Sequence, residues 1–481
     1  MTPPDASARS PHPARSPHLL LWLVAIGFFM QTLDATIVNT ALPAMADSLG
    51  ESPLRMQSVV IAYALTMAML IPASGWLADR FGTRPTFIGA IALFVAGSLL
   101  CALSPNLSLL VAARVVQGLG GALLLPVGRL AVLRTFPGEK FLPAMSFVTI
   151  PGLIGPLLGP PLGGWLSEAV SWHWIFLINV PVGLVGFVAT LAVMPDIRGR
   201  SPDRFDLAGY LLLALGMVLI SLALDGVSEL GLRRATVLLM LVAGFAALAA
   251  YWLRAARHPQ PLFPPRLFHV PTFSVGLLGN LFARLGSGSM PYLIPLLLQV
   301  NLGFSPSESG LMMIPVAAAG IFTKRLITPL IQYYGYRRIL VSNTFLLGLA
   351  MASFAWIAPG EPTWLRFLQL VFFGMVNSAQ FTAMNTVTLK DLDSTLASGG
   401  NSLLSMVMML SMSMGVASAG AILDIFSDLL ATGGPGTAQP AFQATFVTMG
   451  LMTTLSAAIF WQLAPATPHR PGDRAAAADL E

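Results

Sequence analysis

Cysteine is almost absent from this chain. Cys101 stands alone among 481 residues, so no intrachain disulfide can form and cysteine usage says nothing of redox compartment. Charge is scarce as well, at 10% of residues against about 25% in soluble domains, which excludes a water-soluble protein. The six histidines lie in tails, loops or span ends, and HExxH, CxxC and paired deep carboxylates are all missing. No catalytic centre, metal site or cofactor is therefore expected. A net charge of +5 without a basic patch interleaved with aromatics gives no footing for nucleic acid.

What the chain has in quantity is apolar surface, at 55% hydrophobic residues. Apolar windows fall near 18–43, 53–76, 85–104, 107–133, 140–166 and 173–195, then 206–224 and 235–253. A second set follows near 272–300, 308–332, 337–358, 364–389, 397–425 and 441–463. At roughly 20 residues per crossing this makes about fourteen membrane spans, grouped as about six, two and six. The expected fold is all-α and integral to the membrane, with two six-helix bundles around a central cavity and an inserted helix pair at the periphery. Two such halves are the layout of transporters built from repeats. The domains expected are a disordered tail at 1–17, a first bundle at 18–195, a linker with two extra helices at 196–271, a second bundle at 272–463 and a tail at 464–481. The Ala44–Ala46 triplet imitates a cleavage site, but the first apolar run is too long for an ordinary leader and reads as an uncleaved helix.

Arg and Lys set the orientation. With the N-terminal tail inside, Arg80, Arg84, Arg134, Lys140, Arg198, Arg254, Arg337, Arg338 and Lys390, among others, gather on one side. The other side holds Arg55, Arg233, Arg234 and Arg366. The positive-inside rule thus predicts cytoplasmic termini and an inner (plasma) membrane protein.

Asp34 is the one carboxylate far inside a span, in LDATIVNTALP. A charge there costs several kcal/mol, so it pairs, protonates or faces water. Counted at 1.5 Å per residue, it lies ~13 Å from the outer end of its helix, and Arg114 ~10 Å from the outer end of another. Similar depth makes a pair plausible. Arg114 would favour the ionised carboxylate, and separation would invite a proton. That pair is either the proton-coupling element of a transporter or a static clasp that orients two helices.

Several motifs follow in order. The second span ends in GWLADRFGTR, where Gly75 permits close approach, Gly82 suits a tight turn, and Asp79 can pair with Arg80 and Arg84. The fourth carries RVVQGLGGALLLP from Arg114. The fifth carries GPLLGPPLGG, in which Gly155, Gly159, Gly163 and Gly164 suit tight helix packing and Pro160 a kink. Taken together these resemble the signature set of the major facilitator superfamily. The span-two turn resembles its motif A, Arg114 with Gln117 and Gly118 its motif B, and Gly155 to Gly164 its motif C, the antiporter motif that marks exporters. LDATIVNTALP is similar to the motif of the fourteen-helix drug:proton antiporter branch. GFFMQTLDATIVNTALP, SWHWIFLINVPVG and NSLLSM resemble the MdtD-like exporters within it. The resemblance covers nearly all of the chain and implies proton-coupled export of varied drugs. Asp79, Arg80 and Arg84 would then act as a conformational latch, and the glycines as packing positions.

The second half departs from the pattern. Its counterpart turn reads TPLIQYYGYRR, with Gln332 and Tyr333 where Asp79 and Arg80 stand. It also carries deep cations: Arg284 lies ~18 Å and Lys324 ~12 Å from the inner ends of their helices. Asn280, Arg284 and Ser287 share a face. No deep acid in that half neutralises them, which favours an anionic substrate such as a carboxylate or metal–carboxylate. The bland alternative satisfies both charges with carbonyls, Asn side chains and water. Asn377, Gln380, Asn385, Asn401 and, in the first half, Gln31 are further candidates for substrate contact. Met406, Met408, Met409, Met412 and Met414 crowd one helix, either as an adaptable surface for lipophilic or cationic drugs or as packing.

The function expected is a proton-coupled exporter of small organic molecules, monomeric, with protons, a small-molecule substrate and the lipid bilayer as partners. The rivals are an efflux pump for lipophilic cations and a non-transporting membrane sensor or assembly partner.

Overall fold

The computed structural model describes residues 17–136, 138–198, 205–225, 234–358, 360–430 and 438–465. Both predicted tails, apart from residues 17, 464 and 465, lie outside this range. Every regular element among the described residues is helical. In the first half these are α1 (Pro17–Leu49), α2 (Gln57–Phe81), α3 (Thr83–Ala102), α4 (Leu107–Thr135), α5 (Phe141–Ala169), the short α6 (Trp174–Leu177) and α7 (Asn179–Val193). Then come α8 (Leu207–Asp225) and α9 (Arg234–Ala255), the inserted pair. The second half holds α10 (Pro271–Ser287), α11 (Met290–Leu296), α12 (Pro306–Met312), α13 (Ile314–Ser353), α14 (Thr363–Leu389), α15 (Ser394–Leu429), α16 (Ala438–Leu455) and α17 (Ala457–Phe460).

Thirteen helical stretches among the described residues are long and apolar enough to cross a membrane. The difference from fourteen has a local cause. Windows 308–332 and 337–358 are joined end to end in α13, whose Gly335 leaves the helical region at φ 77°, ψ 159°. Only glycine adopts that conformation cheaply, so Gly335 is the corner between two spans. The all-α membrane architecture expected from the sequence is therefore present.

The chain forms two compact units, Met1–Leu207 with Ser305–Gly310, and Ala208–Phe304 with Leu311–Glu481. In the first, α5 lies along α1, α4 packs on α2 and α3, and α7 on α3. The α1–α5 seam is made by small residues. A Cβ added to Gly155 would strike Thr32, one on Gly159 would strike Thr36, and one on Gly163 would strike the Ile37 carbonyl. Thr40 Oγ1 reaches across the seam to the Pro160 carbonyl at 3.1 Å. Gly164 faces the backbone of Pro306 instead, in the short segment that the second half of the chain contributes to this unit. Backbone cannot retreat as a flexible side chain can. Gly163→Val is therefore expected to destabilise the protein by at least about 1–3 kcal/mol, read as a lower unfolding temperature in detergent. Gly75→Ala should change nothing, because a Cβ at Gly75 meets open space.

In the second unit, α10 packs on α14, α15 and α16, and α13 on α14 and α16. The inserted pair closes on itself through Gly216 against Leu248 and Gly244 against Ile220. Ser221 of α8 lies 3.3 Å from Ser413 of α15, oxygen to oxygen.

Candidate functional site

Asp34 sits midway along α1 and has no solvent exposure. Burial of an ionised carboxylate is tolerable only with strong donors around it, and three side chains supply them. Arg114 Nη1 of α4 donates to Oδ2 at 2.8 Å. Gln117 Nε2, one turn along the same helix, donates to Oδ1 at 2.7 Å, and Asn179 Nδ2, the first residue of α7, donates to Oδ1 at 2.9 Å. Arg114 is equally sealed, with 1% exposure. Its Nε donates to the Val59 carbonyl of α2 at 3.2 Å, and Nη1 also reaches Gln117 Oε1 at 2.6 Å. Its guanidinium lies over the Tyr63 ring, 4.1 Å from the centroid. Ser98 of α3 accepts from Gln117 Nε2 at 2.8 Å. Five helices thus converge on one ion pair.

Sequence reading singled out Asp34 and Arg114; Gln117 entered only as part of a motif, and Asn179, Ser98 and Tyr63 were missed. A lone Asn in the apolar run IFLINVPVG was the available signal for Asn179.

At the α2–α3 corner, Gly82 has φ 101°, open to glycine alone, and a Cβ there would strike the Asp196 carboxylate. The ion pairs expected within the motif are differently arranged. Asp79 pairs with Arg134 at the end of α4, not with Arg80 or Arg84. Arg84 Nε instead donates to the Met194 carbonyl at 2.8 Å, and Thr83 Oγ1 to that of Pro195 at 2.7 Å. Arg134 also donates to the Ile197 carbonyl at 3.2 Å. The segment after α7 is therefore strapped into the corner.

In the second unit, Arg284 of α10 is half-buried and its Nε donates to Asn280 Oδ1 at 3.0 Å. Its guanidinium lies over Phe381 of α14 at 4.4 Å, while Nη2 is sealed from solvent without a hydrogen-bond partner among the described residues. Asn280 is itself held by the Gly276 carbonyl and Thr388. Asn377 and Asn385 flank Phe381 one turn either way, and Asn385 Oδ1 is likewise buried without a partner. Lys324 of α13 is half-buried, and no acid pairs with it or with Arg284 among the described residues. Gln380 is committed to packing: it accepts from Asn343 at 2.8 Å and donates to Thr344 at 2.7 Å. Asn401 is half-buried on α15. Gln31, one turn before Asp34 on α1, is buried with Oε1 unpartnered among the described residues. No cluster of metal-ligating side chains occurs among the described residues.

A family model described as Major Facilitator Superfamily matches residues 24–416. A protein of Pectobacterium carotovorum named "Putative multidrug resistance protein MdtD" is 52% identical over 440 residues, 92% of this chain and 94% of that protein. Its namesake in Escherichia coli O139:H28 is 51% identical over 442 residues, 92% and 93% of the two chains. Among solved structures, a D-xylose–proton symporter superposes with a TM-score of 0.65 at 14% identity over 93% of this chain and 98% of its own. The human organic anion transporter MFSD10 (TETRAN) gives 0.60 at 14% identity over 92% and 98%. At such identity these two speak for the fold alone.

Proposed function

The chain belongs to the major facilitator superfamily, as a multi-pass membrane transporter, and on that premise we propose that it is a proton-coupled exporter of carboxylate-bearing small molecules, free or as metal chelates. The inner membrane, with both termini in the cytoplasm, is the location that its Arg and Lys distribution supports.

One observation carries the coupling: Asp34 is a carboxylate shut away from water, and a single arginine, Arg114, balances its charge. Ionised, it completes the pair. Protonated, it is neutral and leaves Arg114 as an uncompensated buried cation, a state costing several kcal/mol unless the helices rearrange or another anion arrives. Occupation by a proton and the packing of α1 against α4 are in this way linked. A proton entering down its gradient can then drive the rearrangement that expels substrate.

The anionic substrate rests on the second unit. Among the described residues, Arg284 Nη2 is sealed without a hydrogen-bond partner and Lys324 has no acidic partner. Charge-assisted bonds to a carboxylate would satisfy both. A second reading, export of lipophilic or cationic drugs, is favoured by the relatives' names and by the half-buried methionines Met408, Met409, Met412 and Met414 of α15.

Inside-out vesicles carrying an imposed pH gradient test the reading. Addition of a di- or tricarboxylate, with or without a divalent metal, is expected to release protons from the lumen in vesicles with the protein and not in empty ones. Release by lipophilic cations alone would select the second reading. No release by any member of a broad panel would favour a sensor or assembly partner.

A further inference from the structure

The two units treat the same corner differently. In the first, the α2–α3 corner at Gly82 is filled: residues 194–197 lie in it, accept from Thr83, Arg84 and Arg134, and leave Asp79 paired. In the second, the corner is Gly335, also at positive φ, and the last helices end beside it at Trp461. Here nothing among the described residues fills the notch. A cavity of about 650 Å³ opens among Tyr334, Arg337, Arg338, Ser342, Trp461 and Pro465, with Ile339 and Val341 also in its lining. Gln332 and Tyr333 stand where the first unit has Asp79 and Arg80, so the acid is gone, while Arg337 stands where the first unit has Arg84 and Arg338 follows it. Arg337 stacks over Trp461, 5.1 Å from its centroid, and neither Arg337 nor Arg338 pairs with an acid among the described residues.

The geometry points to a binding site for the phosphate headgroup of an anionic phospholipid in this cavity. Position selects the ligand. The corner between two spans and the end of the last span both lie at the membrane edge, where headgroups are. Tyr333, Tyr334 and Trp461 are exposed around it, as amphipathic aromatics are at the interface. Two guanidiniums without an acidic partner among the described residues match a phosphate diester in charge and in bidentate geometry. The apolar part of the lining, Ile339 and Val341, suits the first carbons of the acyl chains. A basic pocket between spans near the side where positive loops gather is a recurring form of lipid recognition.

The test uses the full-length protein in a neutral detergent, titrated with short-chain phosphatidylglycerol or with phosphatidylcholine of the same chain length. Native mass spectrometry reads occupancy and thermal unfolding reads stabilisation. Phosphatidylglycerol is expected to bind and stabilise, and phosphatidylcholine to do so far less. In Arg337→Gln/Arg338→Gln the preference should fall about 30-fold, near fivefold for each arginine. Arg337→Lys/Arg338→Lys keeps the charge and should retain most of it, which guards against a merely misfolded Gln variant. Equal binding of the two lipids, or an undiminished preference in the Gln variant, overturns the site. Inorganic phosphate or glycerol phosphate binding as tightly as the lipid would make it a soluble-anion site, and overturns the lipid assignment. Tighter lipid binding after Asp473, Asp479 and Glu481 are changed to amides would name the chain's own tail as the occupant, with the same consequence.

Discussion

Asp34→Asn is expected to reduce proton-driven efflux to the level of empty vesicles while substrate still binds. The amide matches the carboxylate in size and its oxygen can accept one of the present bonds, yet it cannot take up a proton at any working pH. Arg114 loses its counter-charge, so the variant should also be less stable, by up to about 3–5 kcal/mol. Binding measured on purified protein separates the two effects from transport. Arg114→Ala should behave differently: the carboxylate keeps Gln117 and Asn179 as donors, and transport should persist with an altered pH dependence. Efflux by Asp34→Asn that still follows the pH gradient would overturn the assignment of Asp34 as proton carrier.

Arg284→Ala is expected to weaken binding of a di- or tricarboxylate by roughly 10- to 150-fold, the equivalent of about 1.5–3 kcal/mol for a hydrogen bond to a charged group. Binding of a neutral drug should hardly change, since the lost contact is electrostatic. Asn280 is held by Gly276 and Thr388 independently of Arg284, so the local packing should survive. Lys324→Ala should cost less than Arg284→Ala, because Lys324 offers a single point charge where Arg284 offers a fork. Calorimetric titration on both variants checks the order. Tight binding of lipophilic cations to the intact protein, with no carboxylate bound, would leave the anionic reading without support.

The membrane architecture was legible because a span is a local property: twenty apolar residues announce it without reference to the rest of the chain. The Gly335 corner was legible as a turn for the same reason, although α13 runs through it so tightly that two spans read as one. Asp34 and Arg114 could be matched by depth because a helix converts sequence number into height. What depth cannot supply is azimuth between helices. Asn179 reaches Asp34 only because α7 packs beside α3 and α1, and Asp79 finds Arg134 rather than its sequence neighbours because α4 ends beside the α2–α3 corner. Gln380 illustrates the same limit from the other side. It stood as a candidate for substrate contact, whereas packing turns it into α13 to meet Asn343 and Thr344.

The bonds around Asp34 also impose an arithmetic of hydrogens. Its two oxygens receive three N–H groups, from Arg114, Gln117 and Asn179. A proton placed on either oxygen turns an acceptor into a donor, in a pocket already crowded with donors. Gln117 Oε1 is occupied by Arg114, and Ser98 Oγ receives Gln117 and Asn179 while giving its own hydrogen to the Phe94 carbonyl. The Tyr63 hydroxyl is the nearby oxygen that is sealed and without a partner among the described residues. One arriving hydrogen therefore has no vacancy among the present bonds of these side chains, and taking it in requires that they rearrange. A proton here acts by surplus as much as by charge, and an amide at position 34, which brings two hydrogens permanently, would hold the pocket in its overfilled state.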